Sequence, residues 1–195
     1  MTKSVVVGLT GNMGAGKSTA VRMIREMVIP VFEADQAVHI LMRDNREMKA
    51  LFYRKFPKSV VNDEIDRTVL SRLIKEQKLD VRQLEQMIYP FLERELQSFF
   101  MRHNRESVVV LDVPLLFEAG WDKFCDRIIV VSAPAEILKQ RVFERPGMTE
   151  EKYQALTTRQ MPDDEKRKKA DYVIETQDGI EPVRQRLTEI MEEFA

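Results

Sequence analysis

Five short apolar runs along the chain predict buried strands. Nearly every position within each run is apolar, rather than every second one, which is typical of parallel strands that helices cover on both faces. Stretches with helical periodicity separate the runs, so the pattern predicts an α/β fold: a doubly wound, parallel five-stranded sheet with helices on both faces. The runs are Val5–Leu9, Ile29–Phe32, Val108–Leu111, Ile128–Val131 and Tyr172–Ile174.

Apolar residues recur at helical spacing from 20 to 27, from 84 to 99 and from 180 to 194. Pro90 lies inside the longest of these stretches and is expected to kink or break that helix. Pro134 suits the first turn of a further helix, which Pro146 and Gly147 are expected to end.

The strands are unevenly spaced, which predicts two helical insertions in one domain over 1–195. No convincing strand pattern occurs over 43–105, and a second helical, charged stretch covers 141–169. The remaining segments, 1–42, 106–140 and 170–195, are predicted to form the core.

Composition narrows the class of protein. A chain of 195 residues with 44% hydrophobic and 32% charged residues is ordinary for a globular domain. Its 31 basic and 32 acidic residues give a net charge of −1, so no global attraction to nucleic acid is expected. Cys125 is the sole cysteine, which excludes an internal disulfide and suits a reducing compartment. No apolar stretch has the length of a membrane span, and the first strand leaves no room for a signal peptide, so we expect a cytoplasmic protein.

The residues after the first predicted strand form a complete phosphate-binding motif. Residues 11–18 read GNMGAGKS, between a strand and a helix, where backbone N–H groups and the helix N-terminus attract phosphate. Lys17 would reach the β- and γ-phosphates of ATP, and Ser18 would hold Mg²⁺. The predicted nucleotide-binding residues are Gly11, Asn12, Met13, Gly14, Ala15, Gly16, Lys17, Ser18 and Thr19. The predicted fold is therefore of the P-loop NTPase type.

Two acids follow predicted strands at the edge where ligands bind in open α/β sheets. Asp112 ends the run 108–111 and would hold Mg²⁺ directly or through water. Asp35 follows the second strand, where a carboxylate can accept the proton of an acceptor hydroxyl. From spacing alone, Asp35 is equally well explained as the N-cap of a helix over 36–42.

The second insertion carries further basic residues. Arg141 and Arg145 are four apart, on one face of the helix expected to end at Pro146, and arginines there could neutralise charge on a transferred phosphoryl group. A solvated helix face near Glu144 is the alternative. The basic run 166–169 follows three acids at 163–165, a pattern typical of surface ion pairs rather than of nucleic-acid binding.

These motifs, in this order, resemble the dephospho-coenzyme A kinase family over nearly the whole chain. The matching blocks are Gly8-Leu9-Thr10-Gly11, Ala34-Asp35 with His39, Ile65-Asp66-Arg67, the block 111–118 (LDVPLLFE), and Gln160-Met161-Pro162 leading through Lys166 to 170–174 (ADYVI). The strongest family signature is DVPLLFE, residues 112–118.

The resemblance implies an ATP- and Mg²⁺-dependent transfer of the γ-phosphate to the 3′-hydroxyl of dephospho-coenzyme A. It implies that Asp35 is the base, that Arg141 and Arg145 belong to a lid over 141–169, and that 43–105 binds the acceptor. Lys17 completes the implied catalytic set. The expected partner is this small molecule, with no nucleic acid or membrane, and the expected state is a monomer or weak homo-oligomer.

Four positions depart from the family pattern. Glu33 replaces a usual aspartate, Tyr89 replaces the histidine of a His-Pro pair, Pro146 replaces the aspartate of Arg-Asp-Gly, and Thr176 replaces a common asparagine.

Three alternatives remain open on the residues alone. A different kinase of the same fold, acting on a nucleoside, nucleotide or small alcohol, would share Lys17, Asp35 and Asp112. A nucleotide-dependent switch is the second, although no guanine-reading N-K-x-D occurs. The third is a degenerate kinase, suggested by Tyr89 and Thr176.

Overall fold

The computed structural model of the protein describes residues 4–194, and its centre is a five-stranded sheet. The strand order is β2-β5-β1-β6-β7, which confirms the predicted doubly wound α/β fold with all five apolar runs in one sheet. The strands are β1 (Val5–Thr10), β2 (Val31–Glu33), β5 (Val108–Asp112), β6 (Arg127–Ser132) and β7 (Tyr172–Glu175), and a separate hairpin contributes β3 (Val60–Val61) and β4 (Glu64–Ile65).

The helices alternate with these strands along the chain. They are α1 (Lys17–Glu26), α2 (Ala34–Asp44), α3 (Arg46–Lys55), α4 (Arg67–Lys75), α5 (Val81–Arg102), α6 (Ala135–Phe143), α7 (Glu150–Thr157), α8 (Asp163–Lys169) and α9 (Ile180–Glu192), with short 3₁₀ turns at Pro57–Ser59 and Trp121–Phe124. Within residues 4–194, no helix combines the length and the apolarity that a membrane span needs.

The strand register brings the C-terminal ends of β1, β5 and β6 to the same edge of the sheet. β1 lies parallel to β5 with Leu9 opposite Asp112, and parallel to β6 with Thr10 opposite Val130. All five residues of β5 are buried, as its continuous apolarity predicts. The second strand begins at Val31 rather than at Ile29, because Pro30 has no N–H to donate to a ladder.

The described residues divide into two compact units, one from 4–32 with 103–194 and one over 33–102. In the first unit, α1 packs against α9, and both contribute to an apolar cluster with the sheet. Members of this cluster with no exposed surface include Val7, Leu9, Ile24, Leu187 and Ile190. This core anchors the strand and the helix that flank the phosphate-binding motif.

In the second unit, side chains cap the starts of two helices. Asn45 accepts a hydrogen bond from the Met48 N–H at 2.8 Å at the start of α3, and Asp66 accepts one from the Thr68 N–H at 2.7 Å at the start of α4. α2 packs against α5 and β4. The assignment of 43–105 to acceptor binding and of 141–169 to a lid concerns function and stays a prediction.

Two expectations for the second unit were wrong. The region carries the antiparallel hairpin β3–β4, whose turn places Asn62 and Asp63 at φ +51° and +63°. Asparagine and aspartate tolerate this left-handed backbone better than other side chains. The expected break at Pro90 is also wrong, since α5 continues through this residue, with buried neighbours such as Ile88 and Phe91, whereas the alternative of a kink there stays a prediction.

Candidate active site

The loop between β1 and α1 has the backbone of a phosphate cradle. Gly14 has φ +89°, and a Cβ on it would lie 2.5 Å from the Leu138 carbonyl oxygen, so only glycine fits there. The Ala15 N–H donates to the Asn12 carbonyl at 3.0 Å and closes the turn. α1 then begins at Lys17 without a side-chain cap. A helix start of this kind favours an anion.

Lys17 and Asp112 meet at the carboxyl edge of the sheet. Lys17 Nζ donates to Asp112 Oδ1 at 2.5 Å, and the two side chains are 16% and 10% exposed. Asp112 reaches this position because it ends β5, in register with the end of β1. The structure therefore brings together two residues that lie 95 positions apart in the sequence.

The oxygen atoms near this pair suit Mg²⁺. Ser18 is exposed on the first turn of α1, next to Lys17, and Asp112 supplies a carboxylate. Mg²⁺ prefers hard oxygen ligands and is commonly held by one or two carboxylates together with substrate phosphates. Residues 4–194 contain no cluster of three acidic, histidine or cysteine side chains that would hold a metal without such phosphates.

Arg141 is fixed against the phosphate-binding loop. Its guanidinium donates to the Gly14 carbonyl at 3.3 Å, to the Thr176 hydroxyl at 2.8 Å and to the Thr176 carbonyl at 2.8 Å. The solvated-face alternative is therefore wrong for Arg141, which is half-buried.

Arg145 does not share a helix with Arg141, contrary to expectation. α6 ends at Phe143, and Arg145 is exposed beyond it. Pro146 restricts the residue before it to extended backbone, which favours this early end. The part that either arginine plays in catalysis remains a prediction.

Asp35 is exposed in the first turn of α2 and does not cap it. The helix begins two residues earlier than the cap explanation requires, at Ala34 rather than Gln36, and its N-cap is Glu33, whose side chain makes no capping hydrogen bond. The N-cap explanation is therefore wrong. The role of Asp35 as the base stays a prediction.

Thr176 and the connector from α7 to α8 form supporting contacts that the sequence analysis did not assign. Thr176 is 8% exposed, and its hydroxyl donates to the Ser132 carbonyl at 3.1 Å while accepting from Arg141. In the connector, Gln160 and Met161 hydrogen-bond to the phosphate-binding loop. In the sequence, the family block Gln160-Met161-Pro162 pointed to the connector, but it did not predict that these residues contact the phosphate-binding loop.

The signature block 112–118 is joined to α8 by an ion pair whose lysine is fully buried. Lys166 Nζ lies 3.0 Å from Glu118 Oε1, and the Lys166 side chain has no exposed surface. The expectation of surface pairing for 166–169 is thus wrong for Lys166, although Lys168 does pair with Asp164 on the surface at 3.6 Å. Glu118 also accepts from the Met161 N–H at 2.7 Å.

Glu118→Ala should lower the free energy of unfolding by about 3 kcal/mol, because it leaves a buried ammonium without its carboxylate. Urea denaturation measures the loss. Glu118→Gln/Lys166→Met, which removes both charges, should lose less than Glu118→Ala. An equal or larger loss in the double variant would show that the pair's charge is not what stabilises this contact.

Cys125 is a protected thiol rather than a nucleophile. Burial, reinforced by the charges of Asp122 and Asp126, raises the pKa of the Cys125 thiol to about 12. A free thiol has a pKa of about 8.5, so the folded protein should react with a disulfide reagent at pH 8 more than about 100-fold slower than the unfolded chain. Reagent kinetics with and without denaturant test this, and equal rates would contradict it.

The chain is similar to known proteins over most of its length. A sequence profile described as Dephospho-CoA kinase matches residues 5–181. A curated dephospho-CoA kinase from Mesorhizobium japonicum is 41% identical over 192 residues, covering 97% of this chain and 96% of the relative.

Two solved structures share the fold. A Thermus thermophilus protein is 34% identical and superposes with a TM-score of 0.85 over 100% of both chains. A dephospho-CoA kinase from Campylobacter jejuni, 24% identical, superposes with a TM-score of 0.70 over 96% of both. The profile and the curated relative both span most of the chain, and they confirm the resemblance seen in the motifs. This chain belongs to the dephospho-CoA kinase family.

Proposed function

We propose that this chain transfers the γ-phosphate of ATP to the 3′-hydroxyl of dephospho-coenzyme A and releases coenzyme A and ADP. The observation that carries the proposal is the family match over 5–181, which includes the P-loop and the signature block. The pair of Lys17 and Asp112 at the P-loop supports a phosphoryl-transfer reaction.

Phosphoryl transfer needs positioning and charge stabilisation more than covalent help from the protein. In the proposed reaction, the loop over 11–19, through those of its amides that face the nucleotide, and Lys17 hold the phosphates of ATP. Gly14 and Gly16, at φ +89° and +87°, keep the loop in a backbone that other residues rarely adopt. The transfer proceeds in line and directly, without a phosphoenzyme.

Asp35 accepts the proton of the attacking hydroxyl in this proposal. The support is its position directly after β2 and its exposed carboxylate in the first turn of α2, where it makes no capping bond. A base must reach the hydroxyl of the bound acceptor, and an exposed carboxylate is accessible to it.

Ser18 and Asp112 would hold Mg²⁺, and the donor chemistry described above fits that ion. When bound, Mg²⁺ supplies charge neutralisation at the β- and γ-phosphates. Lys17, already held by Asp112, adds the ammonium on the protein side.

The two helical segments have separate roles in this proposal. Residues 43–105 bind the acceptor, and 141–169 close over the nucleotide and exclude competing water. Arg141 and Arg145 both belong to this lid, but the fixed guanidinium of Arg141 suits a static contact with the nucleotide, whereas exposed Arg145 is free to approach during closure. A cytoplasmic location and a monomeric or weakly oligomeric state complete the proposal.

The test is ADP release with Mg-ATP and dephospho-coenzyme A, adenosine or AMP as acceptor, with the products weighed by mass spectrometry. The expected result is ADP formed only with dephospho-coenzyme A, in equal amount to coenzyme A. ADP formed with adenosine or AMP alone would favour a different kinase of this fold, and ADP formed without any acceptor would favour a hydrolysing switch. If the protein binds ATP but forms no ADP with any of the three acceptors, the proposal would be contradicted.

A further inference from the structure

The tip of the phosphate-binding loop is held by two parts of the segment 141–169, its first residue and the connector between α7 and α8. The Met13 N–H donates to Gln160 Oε1 at 3.2 Å, and the Asn12 side-chain amide donates to the Met161 carbonyl at 3.3 Å. At the start of the segment, Arg141 donates to the Gly14 carbonyl at 3.3 Å. Three consecutive loop residues are thus bonded to one segment that lies more than 120 positions away in the sequence.

The connector that carries Gln160 is itself anchored. The Met161 N–H donates to Glu118 Oε1 at 2.7 Å, and the same oxygen lies 3.0 Å from Lys166 Nζ. Because the Lys166 side chain is fully buried, separating this pair would leave a buried ammonium without its carboxylate, which is costly. The Gln160 N–H donates to the Thr157 carbonyl at the end of α7 at 3.0 Å, which fixes the other side of the connector.

Orientation of the Met13 peptide matters because each loop amide can face either the phosphates or another acceptor. The amide oxygen of Gln160 takes the Met13 N–H and so fixes the plane of the peptide that joins Asn12 to Met13. The amides that follow, from Gly14 onward, then begin from a defined orientation. If the peptide between Asn12 and Met13 were free to rotate, ordering it on phosphate binding would cost conformational entropy and weaken the affinity.

We propose that Gln160 is a positioning residue that sets the phosphate-binding loop in its ATP-binding conformation. It links the connector between α7 and α8 to the loop, so that the two change conformation together. The inference rests on the proposed function for the phosphates that the loop binds, but it concerns nucleotide affinity and does not need the acceptor.

The test uses Gln160→Met, which keeps the size of the side chain and removes its acceptor oxygen. One neutral hydrogen bond corresponds to about a threefold to tenfold change in an equilibrium constant. We expect the dissociation constant for Mg-ADP, measured by calorimetry without acceptor, to rise by about that factor. KM for ATP should rise in parallel, whereas KM for dephospho-coenzyme A should stay within about twofold.

A second readout separates positioning from general loss of structure. Hydrogen exchange of the Met13 amide, followed by NMR, should be faster in Gln160→Met, while amides in the buried strand β5 keep their protection. Gln160→Glu retains an acceptor oxygen and should keep the Met13 amide protected. Gln185→Met is the matched control, because it removes an exposed glutamine that bonds Glu189 on α9, and it should change neither readout.

Wild-type nucleotide affinity and unchanged Met13 exchange in Gln160→Met would overturn the assignment. If that variant fails to fold, rapid exchange of the Met13 amide in the wild-type protein would overturn it, and strong protection that Gln160→Asn removes would support it. Failure to phosphorylate dephospho-coenzyme A would contradict the proposed function, while the nucleotide and exchange measurements still decide the role of Gln160.

Discussion

Asp35→Asn should reduce kcat by about 10²–10⁴-fold, the usual contribution of a general base, and leave ATP affinity within about twofold. The amide keeps the shape of the carboxylate but cannot accept the proton of the acceptor hydroxyl. Asp35 is exposed and makes no capping bond in α2, so the substitution should not destabilise the fold. The loss should therefore appear in the chemical step alone.

Steady-state kinetics with dephospho-coenzyme A, and calorimetry with an ATP analogue, measure the two quantities separately. Glu181→Gln is a matched control, because it removes an exposed carboxylate from the first turn of α9, away from any assigned role. A kcat for Asp35→Asn within about tenfold of the wild type, or about 1.4 kcal/mol in barrier, would mean that Asp35 is not the base.

The sheet was predictable because its strands are continuous apolar runs. A strand buried on both faces must be apolar at nearly every position, so β1, β5 and β6 stand out without knowledge of their partners. The phosphate-binding loop was equally visible, because its glycines and lysine are constrained by local backbone geometry and lie within eight consecutive residues, 11–18.

The hairpin β3–β4 and the end of α6 were not predictable from these patterns. Two-residue strands are too short to show alternation, and only Asn62 and Asp63 hinted at a turn. For α6, four-residue spacing between Arg141 and Arg145 fitted a helix, but Pro146 shifts the local balance toward an earlier end. For α5 the error is the opposite one, since the expected break at Pro90 does not occur. The burial of α5 side chains outweighs the local tendency of proline to end a helix.

The contacts around the site could not be found from spacing, since they join residues that are far apart in sequence. Lys166 belongs to a charged run with a typical surface pattern, yet its amine is buried against Glu118. Gln160 reaches Met13 across 147 positions. Only the fold brings these groups together. Sequence patterns therefore reveal the phosphate-binding loop but not the distant residues that hydrogen-bond to it.

Lys17→Ala should lower kcat/KM by at least about 10²–10³-fold, the loss typical when one charge-stabilising donor is removed from a transition state. The ammonium is the basic group of the loop itself, held at 2.5 Å from Asp112 at the start of α1. Lys123→Ala removes an exposed lysine from the Trp121–Phe124 turn and should leave turnover unchanged. Unchanged turnover in Lys17→Ala would contradict the assignment of the loop as a phosphate cradle.

Lys17→Ala also leaves the Asp112 carboxylate, only 10% exposed, without its ammonium. Loss of a hydrogen bond to a charged group in such a position costs about 1–3 kcal/mol, so the variant should be less stable as well as less active. Lys17→Ala/Asp112→Asn also removes the largely buried negative charge and should recover part of the lost stability, measured by urea denaturation, without recovering turnover. Activity that returned together with stability would mean that Lys17 maintains the site's structure rather than stabilising the transferred phosphoryl group.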